Sequence, residues 1–286
     1  MNSRKQLKRK SFGQHFLTDA SVIEKIIDSL SSTAKRLEST SLIEIGPGKG
    51  ALTHRLLEKQ VPQIEPLTLI EKDRELCDYW RQVQKNTNLD FQIIEADFLE
   101  LSAEHWHSQI QDDGKNRLIL SNLPYSASIA ILNRLTTWRD SISEMILMFQ
   151  DEVSQRIAFE LGHRSTGSLT VWTQNFWNIE YLYKVKPQAF RPPPKVDSSV
   201  VHFQKRDYPI ISNTNEKSAL FEDLLKVSFK HPRKMIRSNL KQLQNEAAIF
   251  DQCEVDPTLR PQHLTWQDWQ SLWDAFLKIR NVTAQA

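Results

Sequence analysis

The sequence predicts an α/β protein in which helices cover a parallel sheet, and three observations support this fold class. Short apolar runs with the length and composition of buried strands recur along the first half of the chain. They span residues 42–45, 67–70, 91–94, 118–120 and 145–149. Stretches with helical spacing of apolar residues separate the runs, as expected for a sheet covered by helices. The polar or glycine residues that end successive runs lie 25, 26 and 25 positions apart, the length of one strand-helix repeat.

The length of the chain favours two domains, because 286 residues is about twice the size of a typical domain. A helix-like segment at 151–161 follows the last apolar run, and strand-like runs follow at 168–175 and 198–203. From residue 215 onward the spacing is helical, with Pro232, Pro257 and Pro261 as breaks. We therefore expect one domain at 1–211 and a smaller all-helical domain at 212–286.

The composition is that of a folded protein, with 40% apolar and 25% charged residues, and it excludes the disordered and fibrous classes. The net charge is only +2, yet the basic residues are clustered. Arg4, Lys5 and residues 8–10 precede the first acid, and the interval from 226 to 241 holds no acid. The basic residues of that interval are Lys226, Lys230, Arg233, Lys234, Arg237 and Lys241. Such clusters indicate a polyanionic partner.

Other classes of protein and site are excluded by what the sequence lacks. No run approaches the roughly 18 apolar residues that span a bilayer, so we expect no membrane association. Cys77 and Cys253 lie far apart, which argues against a disulfide framework or a cysteine zinc site and favours a cytoplasmic location. His105 and His107 have no partner ligands in the sequence, so we expect no metal.

Four residues end successive predicted strands and are expected to form a site. They are Gly46, Glu71, Asp97 and Asn122. Because parallel strands point the same way, their ends line one edge of the sheet, where open α/β folds bind ligands. The sequence therefore predicts that a glycine loop, two carboxylates and an amide converge there.

The glycine loop lies between a strand and a helix, at residues 43–52. The chain has only seven glycines, and three of them are Gly46, Gly48 and Gly50, so the backbone here must turn tightly or approach a ligand. A loop of this kind suits a nucleotide cofactor, and Glu71 suits the ribose hydroxyls of an adenosine. The loop alone also fits a dinucleotide-binding fingerprint, but it lacks the Lys-Ser/Thr ending of a Walker loop.

The sequence Asn122-Leu123-Pro124-Tyr125 discriminates between cofactor chemistries. A side-chain carbonyl and a neighbouring backbone carbonyl can accept both hydrogens of an exocyclic purine amine, which aims its nitrogen at an electrophile. Pro124 restricts the backbone, and Tyr125 offers a flat face on which a base can stack. No strong general base is required, because an alkylated amine is acidic enough to lose its proton to water. These residues therefore favour transfer of a group to a base.

Together with residues 11–17 and 190–198, the glycine loop and Asn122–Tyr125 resemble the KsgA-type family of small-subunit (16S) ribosomal RNA adenine dimethyltransferases. The resemblance extends from about residue 8 to about 275 and includes the helical tail with Arg260-Pro261. It implies a Rossmann-like class I methyltransferase sheet with a C-terminal helical RNA-binding domain. It also implies an S-adenosylmethionine-dependent enzyme that dimethylates two adjacent adenosines near the 3′ end of small-subunit RNA. The expected partner is the pre-30S particle, and the enzyme is expected to be a monomer with a role in subunit biogenesis.

The resemblance also implies roles for individual residues. The expected cofactor contacts are His15, Leu17, Gly46, Glu71, Asp97 and Asn122. The expected catalytic and base contacts are Asn122, Leu123, Pro124, Tyr125 and Phe190, with Phe190 as a second stacking face. The six basic residues between 226 and 241 are expected to bind RNA phosphates. The chain departs from the family pattern at His15, where many members have Asn, at Leu147, where Phe is frequent, and at Asp151, where Lys is usual.

Three other functions share some of these features. The large-subunit rRNA methyltransferases that confer macrolide resistance have a similar loop, tetrapeptide and tail, but residues 13–17 and the Arg260-Pro261 tail favour the small-subunit enzyme. A nicotinamide dehydrogenase would explain the loop and Glu71 and leave Asn122–Tyr125 unexplained. A ribosome-assembly or transcription factor could keep the fold and use only binding, and a binding role beside catalysis stays open.

Overall fold

The fold was analysed in a computed structural model that describes residues 15–61, 63–87, 90–109, 115–162, 164–211, 215–243 and 246–284. Its strands are β1 (Phe16–Leu17), β2 (Thr40–Ile45), β3 (Ile64–Glu71), β4 (Gln92–Glu95), β5 (Asn116–Asn122), β6 (Glu144–Gln150), β7 (Trp177–Val185), β8 (Phe190–Arg191) and β9 (Ser198–Lys205). The helices of the first half are α1 (Ala20–Leu37), α2 (Ala51–Lys59), α3 (Arg74–Thr87), α4 (Ala103–Gln109) and α5 (Ser128–Thr137). Those of the second half are α6 (Asp151–Ala158), α7 (Ser168–Phe176), α8 (Asn215–Ser228), α9 (Ile236–Leu240), α10 (Glu246–Asp251) and α11 (Trp266–Ala284).

Seven strands form one sheet in the order β4-β3-β2-β5-β6-β9-β7, and β1 pairs with β8 in a separate two-stranded ladder. Strand β2 runs parallel to both β3 and β5, and β3 runs parallel to β4. In this register Leu42 lies beside Leu67 on one side and Leu118 on the other. All five apolar runs that the sequence indicated are strands of this sheet.

The chain forms two compact units that interleave along the sequence. Unit 1 contains the described residues up to Ile131 together with Leu147–Phe149 and Lys184–Ser198. Unit 2 contains Leu132–Ile146, Gln150–Tyr183 and the described residues from Ser199 onward. These units are defined by contacts within the structure, and their bounds differ from those of the predicted domains. The division of the chain into domains at 1–211 and 212–286 stays a prediction.

Helix α1 shows how the sequence builds unit 1. The carboxylate of Asp19 caps its first turn by accepting hydrogen bonds from the backbone amides of Ser21 at 2.9 Å and Val22 at 3.1 Å. Ile27, Leu30 and Ala34 recur at helical spacing and are fully buried. The strand residues are buried along β2 and most of β5, as expected for strands covered on both faces.

Helix α7 corrects the prediction of a strand at 168–175, because this segment is helical. Leu169, Val171 and Trp172 are all buried, and a segment that is buried on nearly every side does not reveal its period. Its threonines are poor helix formers, but Thr173 donates from its hydroxyl to the carbonyl of Leu169 one turn earlier, at 2.7 Å. The strand in this part of the chain is β7, which begins directly after α7.

The helices predicted from residue 215 onward are confirmed, and we call α8 to α11 the helical segment. Trp269 and Trp273 are fully buried on one face of α11, and Trp266 is half-buried. Trp269 stacks on Phe229 with ring centroids 5.6 Å apart, and Trp273 meets Phe221 edge-on at 5.3 Å. Trp269 and Trp273 therefore pack in the core of the helical segment.

Among the described helices, none combines the length and apolarity needed to cross a membrane.

Candidate active site

A cavity of about 970 Å³ lies in unit 1, at the ends of the parallel strands β2, β3 and β5. Gly46, Glu71, Asp97 and Asn122 all line it, so the structure brings together the four residues that end successive strands. The other predicted site residues in its lining are His15, Leu17, Leu123, Pro124 and Tyr125. The convergence predicted from the strand repeat is therefore observed.

The glycine loop is held by groups from two other elements. The amide of Gly46 donates to the carbonyl of Ile70 at 2.8 Å, and the amide of Gly48 donates to the carboxylate of Glu71 at 3.1 Å. The indole Nε1 of Trp80, from α3, donates to the carbonyl of Gly48 at 3.1 Å. The loop conformation is thus specified by a strand end and by a buried helix residue that sequence reasoning missed.

Gly50 is a position where only glycine fits. Its φ is +86°, a left-handed conformation that other residues rarely adopt. A Cβ built there would lie 2.5 Å from the Trp80 ring and 2.6 Å from the His54 ring. Trp80 is completely buried, so the ring has no space to move away. Close packing between the loop and α3 therefore requires this glycine.

The carboxylate of Glu71 is the most constrained group of the site. Oε1 accepts hydrogen bonds from the amides of Lys72 and Asp73, both at 2.9 Å, and Oε2 accepts from Gly48. The side chain is only 4% exposed, yet it borders the cavity. Backbone donors thus fix this carboxylate at the edge of the cavity, where it could accept hydrogen bonds from a ribose diol.

A second carboxylate, Glu44, borders the cavity and was not predicted. It is the second-last residue of β2 and is only 2% exposed. Burial raises its pKa to about 7, the hydroxyl of Thr53 opposes this rise by donating to Oε2 at 2.6 Å, and the charge of Glu71 raises the pKa further. An acid inside an otherwise apolar strand run was the sequence signal that could have identified it.

Asp97 follows β4, and its side chain is one-third exposed at the cavity. Oδ1 accepts from the amide of Leu99 at 3.0 Å and caps a short 3₁₀ helix at Phe98–Glu100. Oδ2 lies 3.5 Å from the ammonium of Lys72. The carboxylate is therefore oriented by one backbone donor, and its other oxygen faces a cation.

Asn122 ends β5, and its amide nitrogen Nδ2 donates to the carbonyl of His15 at 3.4 Å. That bond orients the carboxamide and does not use its oxygen, which accepts no hydrogen bond from the described part of the chain. The amide of Leu123 donates to the carbonyl of Met148 at 3.3 Å, which fixes the backbone after Asn122. An acceptor is therefore available at the strand end that the sequence singled out.

Tyr125 follows in a turn, half-buried and bordering the cavity. Its hydroxyl is 2.5 Å from the hydroxyl of Ser198, and burial raises the pKa of the phenol, although the bond to Ser198 opposes this. The ring of His15 lies 5.8 Å from the Tyr125 ring at a tilt of 31°. Nδ1 of His15 donates to the carbonyl of Pro192 at 2.7 Å, so His15 is itself anchored.

Phe190 is placed differently from the other predicted site residues. It is 0% exposed and does not line the cavity. Its backbone pairs with Leu17 in the β1–β8 ladder, next to the pair of Phe16 with Arg191. In this structure Phe190 supports the strand that carries Leu17, and its role as a second stacking face stays a prediction.

Two of the departures from the family pattern differ in burial, since Leu147 is buried and Asp151 is half-buried. Leu147 is fully buried in β6. The carboxylate of Asp151 accepts from the hydroxyl of Tyr181 at 2.6 Å, from Nε2 of Gln155 at 2.8 Å and from the hydroxyl of Ser199. Two hydroxyls and one amide group thus help to hold Asp151 at the start of α6.

Two of the six predicted RNA-binding residues bond to neighbouring side chains. Lys226 pairs with Glu222 at 2.9 Å and lies 3.7 Å from Asp223, and the hydrogen bond to Glu222 raises its pKa. The ammonium of Lys230 donates to Gln242 at 2.8 Å. The remaining four, all exposed, are Arg233, Lys234, Arg237 and Lys241. The basic cluster of Arg4, Lys5 and residues 8–10, which forms the predicted N-terminal arm, lies outside the described residues, as do residues 11–14.

Known proteins resemble this chain over nearly its whole length. Two bacterial proteins named "Ribosomal RNA small subunit methyltransferase A" are 35% identical to it. The one from Psychrobacter cryohalolentis matches over 98% of this chain and 94% of its own length. The one from Coxiella burnetii matches over 96% and 97%, respectively.

Two solved structures share the fold. A dimethyladenosine transferase from Plasmodium falciparum aligns with a TM-score of 0.69 at 22% identity, covering 92% of this chain and 98% of its own. The 23S rRNA methyltransferase ErmE aligns with a TM-score of 0.62 at 20% identity, covering 91% and 98%. The predicted α/β class, a Rossmann-like methyltransferase sheet followed by helices, is confirmed.

The model of one family, described as "Ribosomal RNA adenine dimethylase", matches residues 5–276. With that match and relatives at 35% identity over almost all of its length, this chain belongs to the ribosomal RNA adenine dimethylase family.

Proposed function

We propose that this chain uses S-adenosylmethionine to dimethylate the exocyclic amines of two adjacent adenosines near the 3′ end of small-subunit ribosomal RNA. One observation carries this proposal above the others. The carboxamide of Asn122 lies in the same cavity as the glycine loop and Glu71, with its oxygen free of hydrogen bonds from described residues. Membership of the adenine dimethylase family and relatives named for the small subunit support the choice of substrate.

The residues of the cavity fit S-adenosylmethionine. A Cβ built at Gly46 would meet nothing within 4 Å, so the loop leaves room for a ligand beside its backbone. Glu71 would hold the ribose hydroxyls, Asp97 the adenine amine, and His15 and Leu17 would complete the pocket. When bound, the cofactor supplies an electrophilic methyl group.

Asn122 and the backbone near Leu123 act on the target amine. The carboxamide oxygen and one backbone carbonyl accept its two hydrogens and so orient the nitrogen lone pair away from the ring plane, toward the methyl group. Pro124 restricts the chain between these two acceptors and Tyr125, on which the base stacks. The methylated amine loses its proton to water, so the chain needs no strong general base there.

The target adenine must leave its stack to reach a buried cavity, as in other enzymes that modify bases. Tyr125 provides one face for the extruded base. Phe190 is proposed for the second face because of its place in the family pattern, and since it is fully buried, its ring would become available only after local rearrangement.

RNA binding is assigned to the six basic residues of the helical segment and, outside the described residues, to the N-terminal arm. The same proposal includes the pre-30S particle as partner, a monomeric enzyme and a cytoplasmic location. The two cysteines are both free in the structure, which is compatible with a reducing compartment.

Methylation of purified RNA tests the proposal directly. The protein, S-adenosylmethionine and unmodified small-subunit particles should yield N6,N6-dimethyladenosine, detected by mass spectrometry of the digested nucleosides. Large-subunit RNA serves as the competing substrate. Methylation confined to large-subunit RNA, or calorimetric binding of NAD without binding of S-adenosylmethionine, would contradict the proposal.

A further inference from the structure

The hydroxyl of Tyr125 has a partner that base stacking does not require. It lies 2.5 Å from the hydroxyl of Ser198, a residue 73 positions away that begins β9. Ser198 is 0% exposed, so its side chain is enclosed by other protein atoms. A phenylalanine would offer the same stacking face, so the phenol and its buried partner need another explanation.

The hydrogen bond between the two hydroxyls fixes where the far end of the Tyr125 ring lies. Tyr125 sits in the turn before α5, and its side chain can adopt different staggered rotamers about the Cα–Cβ bond. In another rotamer the phenol oxygen would move away from Ser198, so this bond adds a second anchor point to the one that the backbone of the turn provides. Burial raises the pKa of the phenol, so the group stays protonated at neutral pH and can donate to Ser198.

We propose that Ser198 is a positioning residue that orients the Tyr125 ring for the target adenine, so that the base amine meets the Asn122 carboxamide in line for transfer. This inference rests on the proposed function. Ser198 does not line the cavity, so it acts through Tyr125. A misaligned ring would slow the chemical step and leave cofactor binding unaffected, since catalysis depends steeply on the alignment of reacting groups.

The adjacent Ser199 provides a matched control. Successive side chains of a strand point to opposite faces, so Ser199 faces away from Tyr125. It is buried as well, and its hydroxyl bonds to Asp151 and Tyr181, neither of which lines the cavity. Removing that hydroxyl disturbs the same end of β9 without touching the Tyr125 bond.

The experiment compares Ser198→Ala, Ser198→Thr, Ser199→Ala, Tyr125→Phe and the double variant Ser198→Ala/Tyr125→Phe. We expect Ser198→Ala to lower the single-turnover methylation rate by about tenfold, with S-adenosylmethionine affinity unchanged by calorimetry. Tyr125→Phe should show the same loss. The double variant should show no further loss, because the two substitutions remove the same hydrogen bond. Ser198→Thr should recover most of the rate, and Ser199→Ala should keep it.

Additive losses in the double variant, or a parental rate for Ser198→Ala, would overturn the positioning role. A loss for Ser199→Ala as large as for Ser198→Ala would also overturn it, since the effect would then reflect the strand alone. If the parent protein binds the cofactor but methylates no adenosine, both this inference and the proposed function fail. If the parent protein methylates adenosine normally, the proposed function holds and the variants test the role of Ser198 alone.

Discussion

The cavity edge of unit 1 and the helical segment hold their charged side chains in different ways. At the cavity edge, Glu71 is nearly buried and accepts three hydrogen bonds from backbone amides. In the helical segment, Arg233 and Lys234 are exposed and lie in a turn between α8 and α9. The first region fixes individual atoms, and the second presents charge over a surface.

This difference indicates how each region contributes to function. A site built on fixed atoms is sensitive to single substitutions, because each group has one position in which it works. An exposed basic surface acts through the number of phosphates that it neutralises, so its residues contribute similarly and nearly additively. Substitutions at the two regions should therefore differ in size and in their dependence on salt.

The largest effect is expected at Asn122. Asn122→Ala removes the carboxamide oxygen that orients the amine, and the single-turnover methylation rate should fall by about 10²-fold. RNA affinity, measured by fluorescence anisotropy, should stay unchanged because the RNA surface is untouched. Asn133→Ala, on α5 and outside the cavity lining, is the control and should keep the parental rate. Full activity of Asn122→Ala would refute the assignment.

Glu71 should dominate cofactor affinity. Glu71→Ala removes the ribose acceptors and also the partner of the Gly48 amide, so S-adenosylmethionine should bind about 10- to 150-fold more weakly, or about 1.5–3 kcal/mol. Calorimetric titration measures this change. The exposed Glu104 of α4, changed to Ala, should leave affinity as it is. Equal affinities for the Glu71 and Glu104 variants would remove Glu71 from the cofactor site.

Glu44 should make the free energy of unfolding depend on pH. Its pKa is about 7 in the folded protein, against an ordinary value of 4.5, so the folded state keeps a proton that the unfolded state loses. The contribution of Glu44 to the free energy of unfolding is therefore full below pH 4.5 and is lost as pH rises to about 7. Each unit of pKa difference corresponds to about 1.4 kcal/mol.

Urea unfolding at both ends of that window measures the effect. Glu44→Gln stays neutral at every pH, so its unfolding free energy should change less across the window than that of the parent. Identical pH dependence in the two proteins would show that Glu44 ionises normally.

Substitutions at two buried tryptophans, one in each region, allow a direct comparison. Trp80→Phe removes the indole donor to the Gly48 carbonyl, and cofactor affinity should fall by about 2- to 13-fold, from a loss of about 0.5–1.5 kcal/mol. Trp269 is equally buried, but its Nε1 has no hydrogen-bond partner in the described part of the chain. Trp269→Phe should therefore leave cofactor affinity unchanged. If both variants bind the cofactor like the parent, Trp80 does not support the loop.

The exposed cations should show the smallest effects per residue, visible mainly in salt dependence. Changing Arg233, Lys234 and Arg237 together to Ala should reduce the slope of log affinity against log salt by about 2–3 units. Lys226→Ala should change the slope less than one of those substitutions, because Lys226 is paired with Glu222. A slope that is unchanged in the triple variant would assign the cluster to a solvated face.

Much of the fold was predictable because its signals are local. The apolar runs of β2 and β5, the glycine loop and the helix spacing of α11 are each contained in a few consecutive residues. The site edge followed from one general property, since the ends of parallel strands lie together. The strand predicted at α7 was wrong because a segment buried on all sides has no face from which to read a period.

The sequence by itself determined the class of fold, the edge at which the site lies, and the residues Gly46, Glu71, Asp97 and Asn122 that meet there. The tertiary structure alone decided how those residues are held. Trp80 reaches the glycine loop across 32 positions, and Ser198 reaches Tyr125 across 73. The tertiary structure also buries Phe190 and raises the pKa of Glu44. Periodicity and motifs report neighbours along the chain, whereas burial and hydrogen bonding depend on partners that only folding brings within reach.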